Sequence, residues 1–418
     1  MKKGILTTQA VGNSGPNVTS VRSVAPWILS VAASTIDRKF TNKIILGDNT
    51  TFVNDAIETF EAEAPLVYGN VSLPGCPESA GRECLLFCLD EKLVKGKIVV
   101  CDHPGGFVEA YRTGATGSIS PSYSKFSEAP LPNAAYALKN HEGDQVKAYM
   151  KSTKNPQAKI LKSEVVKSVG DPITPNFSSR GPSAIIADII KPDISAPGVG
   201  ILAEYPPILP TSGLHGQDKR SVKYNLMIGT SVACAHAAGA AAYVKSFHPD
   251  WSPSSVKSAL LTTAWPMNST SNPDGEFSFG TGHIDPVKAI SPGLVCEAFE
   301  DDYVKFLCSI GYTTTELRSI TGDDSSCQGL TNVGLPNSTY KAKISTVDNA
   351  KIKIEVVPDV LSFKSLKEKK SFVVTVSGGG LPKNSMVSAS LIWSDGTYNV
   401  RSPIVLYTNE GPQNKGSN

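Results

Sequence analysis

Short apolar runs separated by turns fill the first fifty residues. The runs are Ile5–Val11 and Trp27–Ala33, with the turn-forming segment Gly12–Pro16 between them. Apolar runs without alternation are typical of parallel strands buried on both faces. The sequence pattern changes at about 51–163, where short predicted strands such as Lys97–Cys101 alternate with Gly/Pro turns. The pattern therefore predicts an α/β core followed by a β-rich insertion.

Two helices are predicted between about 164 and 310, where the sequence pattern again indicates alternating strands and helices. The first covers about Ser231–Phe247 and is almost wholly apolar. A helix that is apolar all round is expected to be buried on every side. The second begins with Ser252 as the N-cap and Pro253 at its first position, which is a favoured start for a helix.

From about Leu330 onward, apolar and polar residues alternate with a period of two. Examples are Lys351–Val356 and Val387–Trp393, and the second is followed by the turn-forming pair Asp395-Gly396. Alternation of this kind predicts antiparallel strands with one buried face. We expect a small antiparallel sandwich in this part of the chain.

Charge and hydropathy exclude two classes of partner. The 418 residues carry 40 Lys+Arg against 38 Asp+Glu, a net charge of +2, which does not favour nucleic-acid binding or a polybasic membrane surface. No apolar stretch approaches the roughly 18–20 residues of a membrane span. We find no secretory signal in Met1–Val11, because its polar residues interrupt any apolar core.

The cysteines and glycosylation sequons favour an extracellular protein. Four of the eight cysteines crowd into 76–101, and Cys308 and Cys327 bracket a short segment. Only Cys84 and Cys88 approach the paired spacing of a zinc site, so disulfides are the better interpretation, with three pairings open in the cluster. The Asn-x-Ser/Thr sequons begin at Asn17, Asn49, Asn70, Asn176, Asn268 and Asn337.

Two polar residues stand where catalysis is feasible. Ser231 lies in the first turn of the apolar helix, among unpaired N–H groups at the positive end of the helix dipole. That position suits a nucleophile, but it also suits any N-capping serine. Asn13 follows a predicted strand, where its side-chain amide could donate to an oxyanion, or could simply belong to a Gly/Pro turn.

These segments resemble the motifs of the subtilase family of serine proteases. Gly229-Thr230-Ser231 with its helix looks like the serine motif, and Ala10–Pro16 looks like the oxyanion-hole motif. Further stretches similar to the family occur in the family's order: Asn176–Pro182, Lys191–Gly198 and Ser246–Pro253, the last being similar to the plant, cucumisin-like branch.

The resemblance implies a fold of the α/β class. The core is a subtilisin-like doubly wound parallel sheet, incomplete in this chain and formed by residues 1–50 and 164–325. Residues 51–163 are implied to be a β-rich protease-associated insertion. Residues 330–410 are implied to be a fibronectin-III-like sandwich.

The resemblance also implies roles for individual residues. Ser231 is the acylating nucleophile, Asn13 the oxyanion donor, and Ala10, Val11 and Gly12 a wall of the substrate cleft. The partner is a peptide or protein substrate, the location is extracellular, and no metal or cofactor is called for. Oligomeric state is left open.

The chain departs from the family at the general base. The family order is Asp, His, Ser, with the first two upstream of the oxyanion asparagine, but Met1–Gly12 contains neither residue type. His236 is on the same helix as Ser231 but about 140° around it, so it is not expected to reach the hydroxyl. The other histidines are not expected to serve either: His103, His141, His215, His248 and His283. Smaller departures are Val232, Ala235 and Cys296, where the family has methionine, proline and tyrosine.

Three hypotheses follow, because a serine hydroxyl without a base is a poor nucleophile. The chain is part of a subtilisin-like serine endopeptidase that lacks the Asp and His of the triad and is nearly inactive alone. Alternatively, it is a non-catalytic secreted protein that binds through the insertion and the sandwich. The third hypothesis is a truncated product that does not fold.

Overall fold

The computed structural model describes most of the chain. The described residues are 3–68, 71–121, 131–139, 141–168, 170, 172–186, 189–212, 214, 216, 218–309, 330–332, 337–346, 352–366, 368–379, 381–383 and 385–408.

Strands and helices alternate through these residues. The strands are β1 Thr8–Ala10, β2 Leu29–Ser34, β3 Arg38–Leu46, β4 Thr51–Asp55, β5 Ala62–Tyr68, β6 Ile98–Val100, β7 Gly117–Pro121, β8 Ala134–Leu138, β9 Gln157–Ile160, β10 Glu164–Lys167, β11 Ile194–Pro197, β12 Ile201–Glu204, β13 Tyr224–Met227, β14 Leu294–Cys296, β15 Leu330–Asn332, β16 Thr339–Thr346, β17 Ile352–Val357, β18 Val360–Ser362, β19 Lys369–Lys370, β20 Val373–Gly378, β21 Met386–Ser394 and β22 Asn399–Tyr407. The helices are α1 Glu78–Arg82, α2 Glu91–Val94, α3 Phe107–Arg112, α4 Glu142–Ser152, α5 Thr230–Phe247, α6 Pro253–Thr262, α7 Glu276–Phe279 and α8 Glu300–Ser309, with a 3₁₀ turn at Lys288–Ile290.

The chain divides into two compact units. The first comprises 1–34, 171–198 and 229–418, and the second comprises 35–170 and 199–228. Each unit has its own apolar cores. The two units are therefore described separately.

The first unit contains a parallel sheet of order β1-β2-β11. Val31 at its centre is in register with Ala10 on one side and Ile194 on the other. Every residue of β2 is buried, as the apolar run predicts. The predicted parallel strands are thus confirmed, although β1 is shorter than the run that predicted it and is only partly buried.

Helix α5 packs on this sheet through one face only. Its buried residues include Ala233, Ala237 and Val244, in one cluster with Leu29 and Val31. The opposite face is exposed, with Tyr243 at 43% and Phe247 at 53%. The prediction of burial on every side was therefore wrong. Alanine is favoured in helices by backbone propensity alone, so an alanine-rich sequence does not show how many faces are covered.

Helix α6 confirms its predicted start. The Ser252 hydroxyl accepts from the Ser255 N–H at 3.0 Å, and Pro253 occupies the first helical position. The helix ends at Thr262 and buries Val256 and Leu260 in the same cluster as α5.

The first unit also contains the predicted antiparallel sandwich. One sheet has the order β18-β16-β21-β22, and two smaller sheets are β17-β20 and β14-β15-β19. Asp395 caps the turn between β21 and β22, where its Oδ1 accepts from the N–H groups of Thr397 at 2.9 Å and Tyr398 at 2.7 Å. Tyr340, Phe363 and other large apolar side chains fill the core.

The second unit is built on an eight-stranded mixed sheet. Its order is β10-β3-β9-β5-β6-β7-β8, with β4 paired to β3. Disulfides join Cys76 to Cys88 and Cys84 to Cys101, with Cα–Cα distances of 5.7 and 5.5 Å. The structure thereby selects one of the three pairings that the sequence left open. The pairing suggested for Cys308 involves Cys327, which lies outside the described residues.

Strand β8 ends this sheet, and side chains occupy its outer edge. The amide nitrogens of Asn42 and Asn54 donate to the carbonyls of Ala135 at 3.1 Å and Ala137 at 2.6 Å. Glu58 Oε2 accepts from the Ala135 N–H at 2.8 Å. Edge groups that would otherwise be open are thus satisfied within the unit.

None of the helices in the described ranges combines the length and apolarity needed to cross a bilayer. In the same residues, no group of three or more His, Cys, Asp and Glu side chains is arranged to hold a metal ion.

Candidate active site

Strand β1 carries the chain to the first predicted site residues. The Ala10 carbonyl accepts from Ser23 Oγ at 2.6 Å. The Val11 N–H donates to the Val31 carbonyl at 3.1 Å, and the Val11 carbonyl accepts from the Arg22 N–H at 3.2 Å. The Val11 side chain is fully buried. The backbone and side chain of Val11 are thus held within the fold, and its role in a cleft wall, like those of Ala10 and Gly12, stays a prediction.

The next residues form a tight turn that presents Asn13. Gly12 has a φ of +102°, and a Cβ there would lie 3.0 Å from Ser179 Oγ. The Gly12 carbonyl accepts from the Ser179 N–H at 2.9 Å, and the Ser14 N–H donates to Ser179 Oγ at 3.1 Å. The backbone is thus fixed on both sides of Asn13, whose side chain is exposed.

Gly229 sets the direction of the second segment. Its φ is +145°, which favours glycine, and its N–H donates to the Gly198 carbonyl at 2.9 Å. Helix α5 begins at the next residue, so Ser231 lies exposed in the first turn. Among the described residues, no acceptor takes the Ser231 N–H and no side chain hydrogen-bonds to its hydroxyl.

A side-chain contact brings the two segments together. Asn13 Oδ1 accepts from the Thr230 N–H at 3.1 Å and from Thr230 Oγ1 at 2.8 Å, across 217 positions of sequence. Because both bonds use the amide oxygen, the Asn13 amide nitrogen is the end that stays open. It lies 3.7 Å from the position that a Cβ of Gly229 would occupy. The structure therefore places Asn13 and Ser231 at one helix N-terminus.

This arrangement can stabilise negative charge beside a nucleophile. An amide N–H₂ and a backbone N–H at a helix N-terminus are the donors that an oxyanion requires. The dipole of the 18-residue helix α5 adds to this attraction. A substrate carbonyl held there would lie next to the Ser231 hydroxyl.

The histidines of the described chain are engaged elsewhere. His236 Nδ1 contacts the Val232 carbonyl of its own helix at 3.2 Å. His248 caps the far end of α5, about 25 Å away by helical rise. His283 pairs with Trp265 through the backbone, and burial lowers the pKa of its ring. His103 and His141 belong to the second unit, and His215 lies outside the described residues.

Sequence reasoning missed Thr230 and Ser179. Thr230 orients the amide of Asn13, and Ser179 fixes the turn that presents it. Both are hydroxyl residues within the quoted motifs, which was the available signal. Their partners lie far away in sequence, so spacing alone could not assign these contacts.

Comparisons with known proteins identify the family of the chain. A model of the subtilase family matches residues 1–283, and a model of a fibronectin type-III domain matches residues 310–406. The chain is 45% identical to the Arabidopsis thaliana subtilisin-like protease SBT4.4, over 97% of this chain and 60% of that protein. For SBT4.6 of the same plant the identity is 45%, again with 97% and 60% coverage, and for SBT4.3 it is 43% with 98% and 60%. The chain thus spans about 60% of the length of these relatives. With a matching family model over more than half of its residues, this chain belongs to the subtilase family, with a subtilisin-like α/β core and a C-terminal fibronectin type-III sandwich.

Proposed function

We propose that the chain carries the nucleophile and oxyanion hole of a serine endopeptidase. Ser231 Oγ attacks the carbonyl carbon of a peptide bond and forms a tetrahedral intermediate. The Asn13 amide and the Ser231 N–H donate to the oxyanion. A base takes up the Ser231 proton during the attack and returns it to the amine, which the intermediate then expels to leave an acyl ester on Ser231. Water hydrolyses this ester and regenerates the hydroxyl.

The contact of Asn13 with Thr230 supports this proposal most directly. It orients a neutral amide so that its donor end faces the space beside Ser231. The same contact joins the turn to the N-terminus of α5, so the amide and Ser231 are held in one place. Pre-oriented donors act without reorganisation during the reaction, which is the main source of catalysis at such sites.

Proton transfer requires a base, and no side chain placed at this site by the described residues can serve as one. No histidine of the described residues contacts the Ser231 hydroxyl. Loss of the base costs on the order of 10⁶ in turnover, a value established on subtilisin itself. We therefore propose that Ser231 acylates efficiently only when an imidazole base is delivered to it.

Labelling with a fluorophosphonate tests the proposal. We expect slow labelling of the chain alone, marked acceleration by added imidazole, and no labelling of Ser231→Ala under either condition. The labelled residue is identified by peptide mass spectrometry. Imidazole-independent labelling at the rate of an intact serine protease, or equal labelling of Ser231→Ala, would contradict it.

The remaining functional assignments belong to the same proposal. The substrate is a peptide or protein, and Ala10, Val11 and Gly12 form a wall of the cleft that receives it. Extracellular location and glycosylation are supported by the two disulfides of the second unit and by exposed sequons such as Asn17 and Asn49. We assign residues 51–163 as a protease-associated insertion. No contact in the described residues favours the non-catalytic binding protein, which is not proposed.

A further inference from the structure

A cavity of about 460 Å³ lies in the first unit, away from Ser231. Helix α6, strand β14, helix α8 and strand β22 contribute to its wall. Its volume lies within the range of small-molecule sites. Apolar side chains form much of the lining, including Ile189, Ile190, Leu261 and Pro403.

Arg401 places a positive charge on this wall. Its guanidinium donates to the Thr281 carbonyl and, at 3.1 Å, to Ser390 Oγ. Among the described residues, no carboxylate lies within 4.0 Å of it. Glu276 attracts it only from a greater distance and accepts a hydrogen bond from Ser388 instead. Because a mostly buried cation without a counter-ion is costly, this guanidinium favours an anion beside it.

The carboxylate that lines this cavity is already paired with two lysines. Lys257 Nζ lies 3.3 Å from Asp193 Oδ1, and Lys191 Nζ lies 2.7 Å from Asp193 Oδ2. Two ammonium groups thus share one carboxylate, and a positive excess remains.

We propose that this cavity binds an organic monocarboxylate with an apolar body. The planar guanidinium of Arg401 matches a carboxylate in geometry as well as charge. Tyr303 lies on the same wall, and its hydroxyl can bond to a remaining lone pair of the carboxylate. The apolar lining takes the rest of the molecule.

The small side chain of Cys296 leaves room for a ligand in the cavity. It lines the cavity, and its backbone N–H is fixed by Ser258 Oγ at 2.8 Å. A larger side chain at this exposed position would extend into the cavity. Cys296→Tyr is therefore a filling variant that the surrounding fold is expected to accept.

Isothermal titration of the full chain with 3-phenylpropionate tests the proposal. We expect saturable one-to-one binding by the native protein and no binding of the uncharged 3-phenylpropionamide. Arg401→Gln is expected to weaken binding at least tenfold, whereas Arg401→Lys retains part of it. Cys296→Tyr is expected to abolish binding while the circular dichroism spectrum stays native.

The peptide arm of the experiment identifies the source of the carboxylate. A hexapeptide ending in leucine is titrated with a free and with an amidated C-terminus. Binding of the free form alone extends the assignment to peptide C-termini, and binding of neither form limits it to small acids.

Three results would overturn the assignment. They are equal affinity for the acid and its amide, tighter binding of inorganic phosphate than of 3-phenylpropionate, and undiminished binding by Cys296→Tyr. Absence of binding to the native protein would overturn it as well. The readout does not depend on Ser231, so it is independent of the proposed proteolysis.

Discussion

Asn13 shows how one side chain links two distant segments into a site. Its amide oxygen holds the Thr230 N–H and hydroxyl, and its amide nitrogen is left to donate. Asn13→Ala should therefore lower the imidazole-dependent acylation of Ser231 by about 10²–10³, the cost of one oxyanion donor as established on subtilisin.

Thr230→Val should cost less, about tenfold, because the backbone N–H still orients the amide. Both rates are measured by fluorophosphonate labelling in imidazole. Asn17→Ala, an exposed asparagine of the same loop, is the control and should label at the native rate. If Asn13→Ala also labels at that rate, the oxyanion role of Asn13 is wrong.

A second prediction at the residue scale concerns Glu58, whose titration should make the stability of the protein depend on pH. Burial raises the pKa of the Glu58 carboxyl to about 7. The N–H groups of Phe60 and Ala135 and the charge of Arg220 favour the ionised form and oppose this rise, but burial outweighs them. Between about pH 4.5 and 7 the folded protein holds a proton that the unfolded chain releases. The free energy of unfolding should therefore fall as pH rises through this window, by roughly 3 kcal/mol, and level off above it.

Urea unfolding of the second unit at a series of pH values measures this slope. Glu58→Gln should flatten it, because the titrating group is gone. Glu164→Gln, an exposed carboxylate in β10, is the control and should keep the native slope. A native protein whose stability is flat from pH 4.5 to 7 would contradict the prediction.

At the scale of elements, the N-cap of helix α6 makes a measurable contribution to the free energy of unfolding. Ser252 Oγ accepts from the Ser255 N–H at 3.0 Å, which satisfies one of the open donors of the first turn. Ser252→Ala should lower the free energy of unfolding of the first unit by about 1 kcal/mol. Urea denaturation followed by tryptophan fluorescence measures it. Ser246→Ala, whose exposed hydroxyl bonds only within α5, should change it by less than about half that value.

Element types were predictable from the chain, whereas their surroundings were not. Strand β2 is marked by a largely apolar run, and helix α6 is marked by a Ser-Pro start. Helix α5 does not, because alanine is compatible with both a buried and an exposed face. The contact that orients Asn13 was also beyond local pattern, since it joins residues 217 positions apart.

At the scale of the whole molecule, the two disulfides found among the described residues and all four tryptophans are segregated. The disulfides lie in the second unit, and the tryptophans lie in the first: Trp27, Trp251, Trp265 and Trp393. Each disulfide closes a loop of 12 or 17 positions, for which the stabilisation is about 3 kcal/mol.

Reduction by dithiothreitol should therefore destabilise the second unit selectively. Hydrogen exchange should show lost protection in β6 and β7, while the denaturation midpoint reported by tryptophan fluorescence stays in place. The double variant Cys76→Ser, Cys88→Ser should reproduce part of the effect without reductant. A tryptophan transition that shifts as much as the second unit would show the selectivity to be wrong.

The side chains along the outer edge of β8 have a consequence for molecules that meet at high concentration. Asn42 and Asn54 already occupy carbonyls that a strand from another molecule would have to recruit. Another strand can pair with this edge of the sheet only after the hydrogen bonds from the Asn42 and Asn54 amides have broken. The same residues that complete the unit thus help to keep neighbouring copies of the protein apart.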